Sequence, residues 1–183
     1  SLQAGDRVVI SRAEHHSNLV PWQLACQRSG AELKWLDLDP EGRIDLDTLD
    51  VITPNTKVVA VTHASNVTGA ITPIEPIIEV AHNVGALVVL DTCQSSAHLP
   101  IDVTTLGADF IALSSHKMCG PTGIGALWSR RDLLEAMPPV LTGGSTVASV
   151  TMDSTEFLPA PDCFEAGSQP VAQAVGWARA LEY

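Results

Sequence analysis

Lysine is scarce in this sequence: only Lys34, Lys57 and Lys117 occur in 183 residues. Ten basic side chains stand against twenty-one acidic ones, a formal net charge of −11 at pH 7. That is the wrong sign for tracking a phosphate backbone, and no basic cluster is longer than Arg130-Arg131, so nucleic acid is excluded as a partner. No apolar run approaches the ~20 residues that a membrane-crossing helix needs, and Ser1-Leu2-Gln3-Ala4-Gly5-Asp6 has no signal-peptide pattern; a cytoplasmic protein is expected. Cys26, Cys93, Cys119 and Cys163 form no Cys-x-x-Cys pair, which argues against zinc and against a disulfide framework. Reduced thiols and no metal site are therefore expected. Aromatic residues make up only 4% of the chain.

What is present is a well-packed globular composition, 45% hydrophobic and 17% charged, in a length that supports one domain burying about 70% of its unfolded surface. The first half alternates strand and helix signals. Arg7 to Ser11 reads as a strand, Leu19 to Ser29 as a helix closed by Gly30, and Glu32 to Asp37 as the next strand. The rhythm repeats with strands Lys57 to Thr62 and Ala86 to Leu90 around a helix from Pro73 to Asn83. Thr72 and Glu75 have capping-box spacing at its start. Ile74, Ile77, Ile78 and Ala81 mark its core face, and Gly85 its end. Met137 to Ala166, rich in Pro, Thr, Ser and Gly, reads as a long irregular arm. A last helical pattern begins near Val171 and reaches Tyr183 without a stop signal.

The chemistry gathers at strand ends. Asp109 to Lys117 is an apolar run that closes on Ser114-Ser115-His116-Lys117 and the loop Gly120-Pro121-Thr122-Gly123. It is apolar enough to be a central strand of a parallel sheet, and ligands of open α/β sheets bind at the carboxyl ends of such strands. A lysine held there is partly desolvated and offers its amine as a nucleophile toward a carbonyl. The run Ala86 to Leu90 ends on Asp91, so an acid is expected at the same edge. A lysine to bind the aldehyde and a carboxylate to keep the ring nitrogen protonated are what pyridoxal phosphate requires.

Thr62-His63-Ala64-Ser65-Asn66-Val67-Thr68-Gly69, Asp91-Thr92-Cys93-Gln94 and Ser114-Ser115-His116-Lys117, in that order, resemble the class V aminotransferase family of fold-type I pyridoxal-phosphate enzymes. Glu14-His15-His16-Ser17-Asn18-Leu19-Val20-Pro21-Trp22 and Phe164-Glu165-Ala166-Gly167 narrow the resemblance to SUF-type cysteine desulfurases. The resemblance covers nearly the whole chain. It implies a three-layer α/β/α fold with a mostly parallel central sheet, truncated on both sides. Residues 1–183 would be a partial cofactor-binding large domain, without the N-terminal segment and the C-terminal small domain.

The resemblance also implies roles. Lys117 would carry the cofactor and Asp91 would hold its pyridine nitrogen. His15 would stack on the ring and serve as acid or base, while the adjacent His16 is read as structural. Gln94 and Asn66 would serve the phenolic oxygen, against plainer readings as a loop amide and a turn asparagine. Ser114 and His116 would bind the phosphate, and Ser168 would reach the phosphate of a partner subunit's cofactor, which implies a homodimer. L-Cysteine would be the substrate and a sulfur-acceptor protein a partner in iron-sulfur assembly. Kynureninase-like or epimerase-like chemistry, or a non-catalytic domain that binds cofactor or dimerises, are the alternatives. The family pattern has glycine at Ser115, threonine at Ser168 and another continuation at Gln169-Pro170, so Ser115 is expected to crowd the lysine loop. Cys119 is expected to pack within it.

Overall fold

The structure is a computed structural model that describes residues 1–183. Six strands, β1 (Arg7–Ser11), β2 (Glu32–Leu36), β3 (Thr56–Thr62), β4 (Leu87–Asp91), β5 (Phe110–Ser114) and β6 (Gly125–Ser129), form one sheet in the order β2-β1-β3-β4-β5-β6. The first five are parallel, and β6 runs antiparallel to β5. The helices are α1 (Val20–Ser29), α2 (Ile74–Asn83), α3 (Arg131–Glu135) and α4 (Val171–Leu181). No helix is long and apolar enough to cross a membrane.

Alternation along each strand divides the core between two faces. Val59, Val61, Val88, Leu90 and Ile111 point to α2 and pack on Ile74, Ile77, Ile78 and Ala81, the four positions that the helical periodicity marks. Burying each such isoleucine stabilises the fold by roughly 1.5–3 kcal/mol. On the other face Val8, Ile10 and Ala60 cluster with Cys26 of α1, with Trp22, Trp35 and Val89 packed around them. The three-layer α/β/α expectation holds. α1 ends on Gly30 at φ 72°, where a glycine is needed for the left-handed turn.

Three local expectations need correction. The capping box at α2 does not form: Pro73 is the N-cap, without a side-chain cap bond, and Thr72 Oγ1 instead donates to Thr62 O at 2.7 Å. The strand end outcompetes the helix end for that hydroxyl. The arm between Met137 and Ala166 is not wholly irregular, because β7 (Val147–Val150) and β8 (Thr155–Phe157) pair as an antiparallel hairpin. Finally, β5 is the fifth of six strands, and within it only Ile111 is fully shielded. The α2 layer covers one face there, and the opposite face near β5 and β6 is more open.

The end of the sheet away from the strand tips is closed by Asp109, whose side chain is 2% exposed. Its Oδ2 accepts from Val88 N at 2.8 Å and bonds His82 Nε2 at 3.0 Å, while Oδ1 pairs with Arg130 Nη1 at 3.0 Å. One carboxylate thus joins the start of β4, the last turn of α2 and the end of β6. Asp109→Ala strands the buried Val88 N–H, which costs about 2 kcal/mol. Urea unfolding should show that loss; an unchanged midpoint would mean that the clasp is idle.

Candidate active site

The parallel register sets Thr62, Asp91 and Ala112 side by side on β3, β4 and β5. Asp91 follows Val89 by two residues, so its side chain stands on the α1 face, and Ser114 lies on the same face two residues beyond Ala112. A turn of 3-10 helix, Ser115–Lys117, then carries the lysine off the end of β5. Asp91 Oδ1 accepts from Cys93 N at 2.9 Å, and Cys93 Sγ lies 3.3 Å from Ser114 Oγ. Burial pushes the Cys93 thiol up; Asp91 reinforces this, whereas Ser114 and the Lys117 charge oppose it. The four side chains therefore form one neighbourhood. Lys117 is half-buried and in no ion pair, unlike Lys34, which lies 3.7 Å from Glu32.

Across the strand ends, His15 and Asn66 line a cleft of about 450 Å³ with Arg12, Glu14, Ser65 and Thr68. The His15 ring is held by Ser17: its Nδ1 lies 2.8 Å from Ser17 Oγ and accepts from Ser17 N at 3.2 Å. Gln94 lines the adjoining depression of about 300 Å³ with Ala64, Ser65 and Gly69. His116 is exposed beside Lys117, and Ser168 is exposed in the segment before α4, outside both depressions. The structure therefore brings together Asp91, Ser114 and Lys117, gives His15 and Asn66 a shared wall, and leaves Ser168 apart.

Two features of the lysine loop differ from expectation or sharpen it. Cys119 is exposed at φ 58°, a conformation strained for a side-chain-bearing residue, so it does not pack inside the loop. The backbone turn that lets Gly120 N reach Ser115 O at 3.0 Å swings it outward. Ser115 is wholly buried with its hydroxyl unpartnered. A Cβ on Gly120 would meet Ser115 Oγ at 2.2 Å and Trp177 Cδ1 of α4 at 3.0 Å. The crowding expected at Ser115 is real, and it is relieved because the facing residue is glycine.

The donor set fits pyridoxal phosphate. An unpaired lysine amine, a carboxylate at the level of the neighbouring strand end, hydroxyl and imidazole donors flanking the lysine and an amide-bearing wall are the groups its aldehyde, ring nitrogen, phosphate and phenolic oxygen require.

The aminotransferase class-V family model matches residues 1–183. The chain belongs to the class V aminotransferase family. It is 53% identical over 177 residues to a probable cysteine desulfurase of Streptomyces coelicolor, covering 96% of this chain and 42% of that one. It is 44% identical over 183 residues to the cysteine desulfurase of Haloferax volcanii, covering 100% of this chain and 43% of that one. Among solved structures, the Escherichia coli cysteine desulfurase CsdA superposes with TM-score 0.96 at 43% identity, over 99% of this chain and 46% of that chain. The apo cysteine desulfurase of Thermococcus onnurineus gives 0.94 at 37% identity, over 100% of this chain and 46% of that chain. The chain thus spans less than half the length of these class V relatives.

Glu14, in the Glu14-His15-His16 motif, has a place that its neighbours in sequence do not reveal. It is 9% exposed, and its carboxylate accepts from Ser11 Oγ, from Asn18 Nδ2 at 2.6 Å and from Thr62 N at 2.9 Å. Burial nonetheless raises its pKa from 4.5 to about 7, with a smaller contribution from Asp91 in the same direction. The only signal in the sequence was an acid flanked by histidine between two apolar segments, which does not distinguish a buried carboxylate from a solvated one. Between pH 4.5 and about 7, folded Glu14 keeps a proton that the unfolded chain has released. Its contribution to stability is full below 4.5 and is lost as pH rises through 7, by at most roughly 3 kcal/mol. The difference in urea unfolding free energy between the native chain and Glu14→Gln should therefore move against the native chain as pH rises through that window. A difference that is flat with pH would show that Glu14 does not titrate there.

Proposed function

We propose that this chain is the cofactor-binding large-domain portion of a pyridoxal-phosphate-dependent cysteine desulfurase, whose whole protein converts L-cysteine to L-alanine and passes the sulfur on as persulfide. The observation that carries the reading is the grouping of Asp91, Ser114 and Lys117 at one edge of adjacent parallel strands, in a chain 43% identical to a cysteine desulfurase of the same fold. Bound pyridoxal phosphate would supply an electron-withdrawing ring that stabilises negative charge at the substrate's α-carbon.

The residues have separable tasks. The Lys117 amine would hold the cofactor through its aldehyde. Asp91 would hold a proton at the pyridine nitrogen, so its loss would act on the charge-separated transition state more than on cofactor binding. The His15 imidazole presents a flat face for stacking and a nitrogen for proton transfer. Gln94 and Asn66 would donate to the phenolic oxygen, and Ser114 and His116 to the phosphate. Ser168, exposed and away from this group, fits a task across a homodimer, as a donor to the partner's phosphate. In the whole protein a cysteine thiolate would attack the substrate sulfur, and the S–Cβ bond would break with its electron pair left on the fragment that is protonated to alanine. The persulfide formed would give its outer sulfur to an acceptor protein serving iron-sulfur assembly.

The first test is direct. After incubation with pyridoxal phosphate and borohydride reduction, peptide mass spectrometry should find the cofactor on Lys117. Label confined to Lys34 or Lys57 would sink the assignment.

The second concerns sulfur. Cys26 and Cys163 are buried, Cys93 is held against Ser114 with its thiol pushed up, and Cys119 is exposed on the lysine loop. Two are thus shielded, one is engaged, and Cys119 is held in the turn that Gly120 N closes on Ser115 O. The 183-residue chain loaded with cofactor should release no sulfide from L-cysteine above free pyridoxal phosphate, while a longer protein of the length of its relatives should. Turnover by the chain alone that Cys119→Ser abolishes would place the nucleophile on this loop. Cofactor labelling of Lys117 without sulfide release from the longer protein would favour kynureninase-like or epimerase-like chemistry.

A further inference from the structure

Glu14 is a buried ionisable group that has no task in that chemistry. Its two oxygens collect donors from three segments: Ser11 at the end of β1, Asn18 in the turn that follows, and the Thr62 backbone at the end of β3. The Thr62 bond closes a gap in the sheet. β1 pairs with β3 only as far as Ile10 and Ala60, and then leaves, with Arg12 N bonding Leu36 O at 3.1 Å. The Glu14 carboxylate is the acceptor that β1 no longer provides.

The Asn18 bond is equally constrained. Trp22 Nε1 donates to Asn18 Oδ1 at 3.0 Å, which fixes the amide so that Nδ2 faces Glu14. Between these anchors lies His15. Asn18 N donates to His15 O at 2.8 Å, and the imidazole itself bonds only to Ser17. An exposed ring with one neighbour is placed by its backbone, and that backbone is pinned at residues 14 and 18.

We infer that Glu14 is the positioning residue that fastens the His15 turn to the end of β3, at the level of Asp91, and so sets where the imidazole stands over the candidate site. The functional meaning rests on the reading of His15 as the stacking residue; the fastening does not. A carboxyl group, with an acceptor oxygen on each side, is needed because Thr62 N and the locked Asn18 Nδ2 can only donate. Burial opposes its charge. From the packed elements Asp91 on β4 adds to that opposition, while Arg12 is turned to Asp37, His15 and His16 are exposed, and His63 after β3 has its pKa lowered by burial. The fastening therefore depends on two acceptor oxygens rather than on charge, and an amide, which replaces one of them with a donor, would loosen it.

The test is an exchange of the two polar groups. Glu14→Gln sets an amide donor against Asn18 Nδ2 or Thr62 N. In the protein without cofactor, amide hydrogen exchange at Asn18 and Thr62 should accelerate by about tenfold or more, and after loading with pyridoxal phosphate the visible circular dichroism of the bound ring should weaken. Glu14→Gln combined with Asn18→Asp moves the carboxylate to position 18, where it accepts from the new amide and from Trp22. Both exchange rates should return to within about threefold of native, with the visible signal restored. A role as mere bulk in the core, independent of these bonds, would not be rescued by this swap. Native exchange rates in Glu14→Gln, or a double variant as fast as the single one, would overturn the fastening. Fast exchange with an unchanged visible signal would overturn its role toward the cofactor. Should the single variant fail to fold, the double variant decides alone, since native-like exchange in it requires the proposed bonds. A native protein that gives no visible signal on loading would sink the cofactor reading, while the exchange arm still decides the fastening.

Discussion

The parallel pairing of β3, β4 and β5 is the constraint on which the rest of the molecule depends. A one-residue slip would turn Asp91 from the α1 face to the α2 face and push Leu90 out of the core. The slip is resisted because Val59, Val61, Val88, Leu90 and Ile111 all lie on the α2 side, where Ile74, Ile77, Ile78 and Ala81 meet them. The burial that stabilises the sheet is thus also what aims the carboxylate. Asp109 clamps the opposite end of the same strands, leaving the carboxyl ends open.

At that open end the packing is polar, and each polar group is held at some cost. Glu14 is buried against its preference for water, the Ser115 hydroxyl has no partner, and Cys119 takes a left-handed conformation without being glycine. Such tensions are expected where residues are placed for chemistry. They surround the site as a group, since Ser115 and Cys119 bracket Lys117 and Glu14 lines the cleft beside His15. Helix α4 leans on the same loop, where Gly176 and Trp177 approach Pro121 and Gly120.

Most of the fold was legible before any coordinates, because the signals were periodic and redundant: alternating strand and helix runs, Gly30 ending one helix, and four apolar positions at helical spacing in another. Asp91 and Lys117 were legible as strand-end residues for the same reason. The capping box was misread because a local pattern cannot reveal that Thr72 lies within reach of the Thr62 carbonyl. The hairpin in the long arm was missed because Val147 to Phe157 is exposed along most of its length, so no apolar alternation announces it.

The amino-acid sequence by itself determined the alternation of elements, the acid and the lysine that end two apolar runs, and the family likeness those motifs carry. These are properties of neighbours along the chain. The tertiary structure alone decided which strand lies beside which, so that Asp91 stands level with Thr62 and Ala112 and Cys93 meets Ser114. It also decided that Glu14 is a buried acceptor for donors 3, 4 and 48 residues away. The physical reason is that burial and the hydrogen bonds that satisfy it arise from contacts distant in sequence, and a carboxylate's charge follows from those contacts.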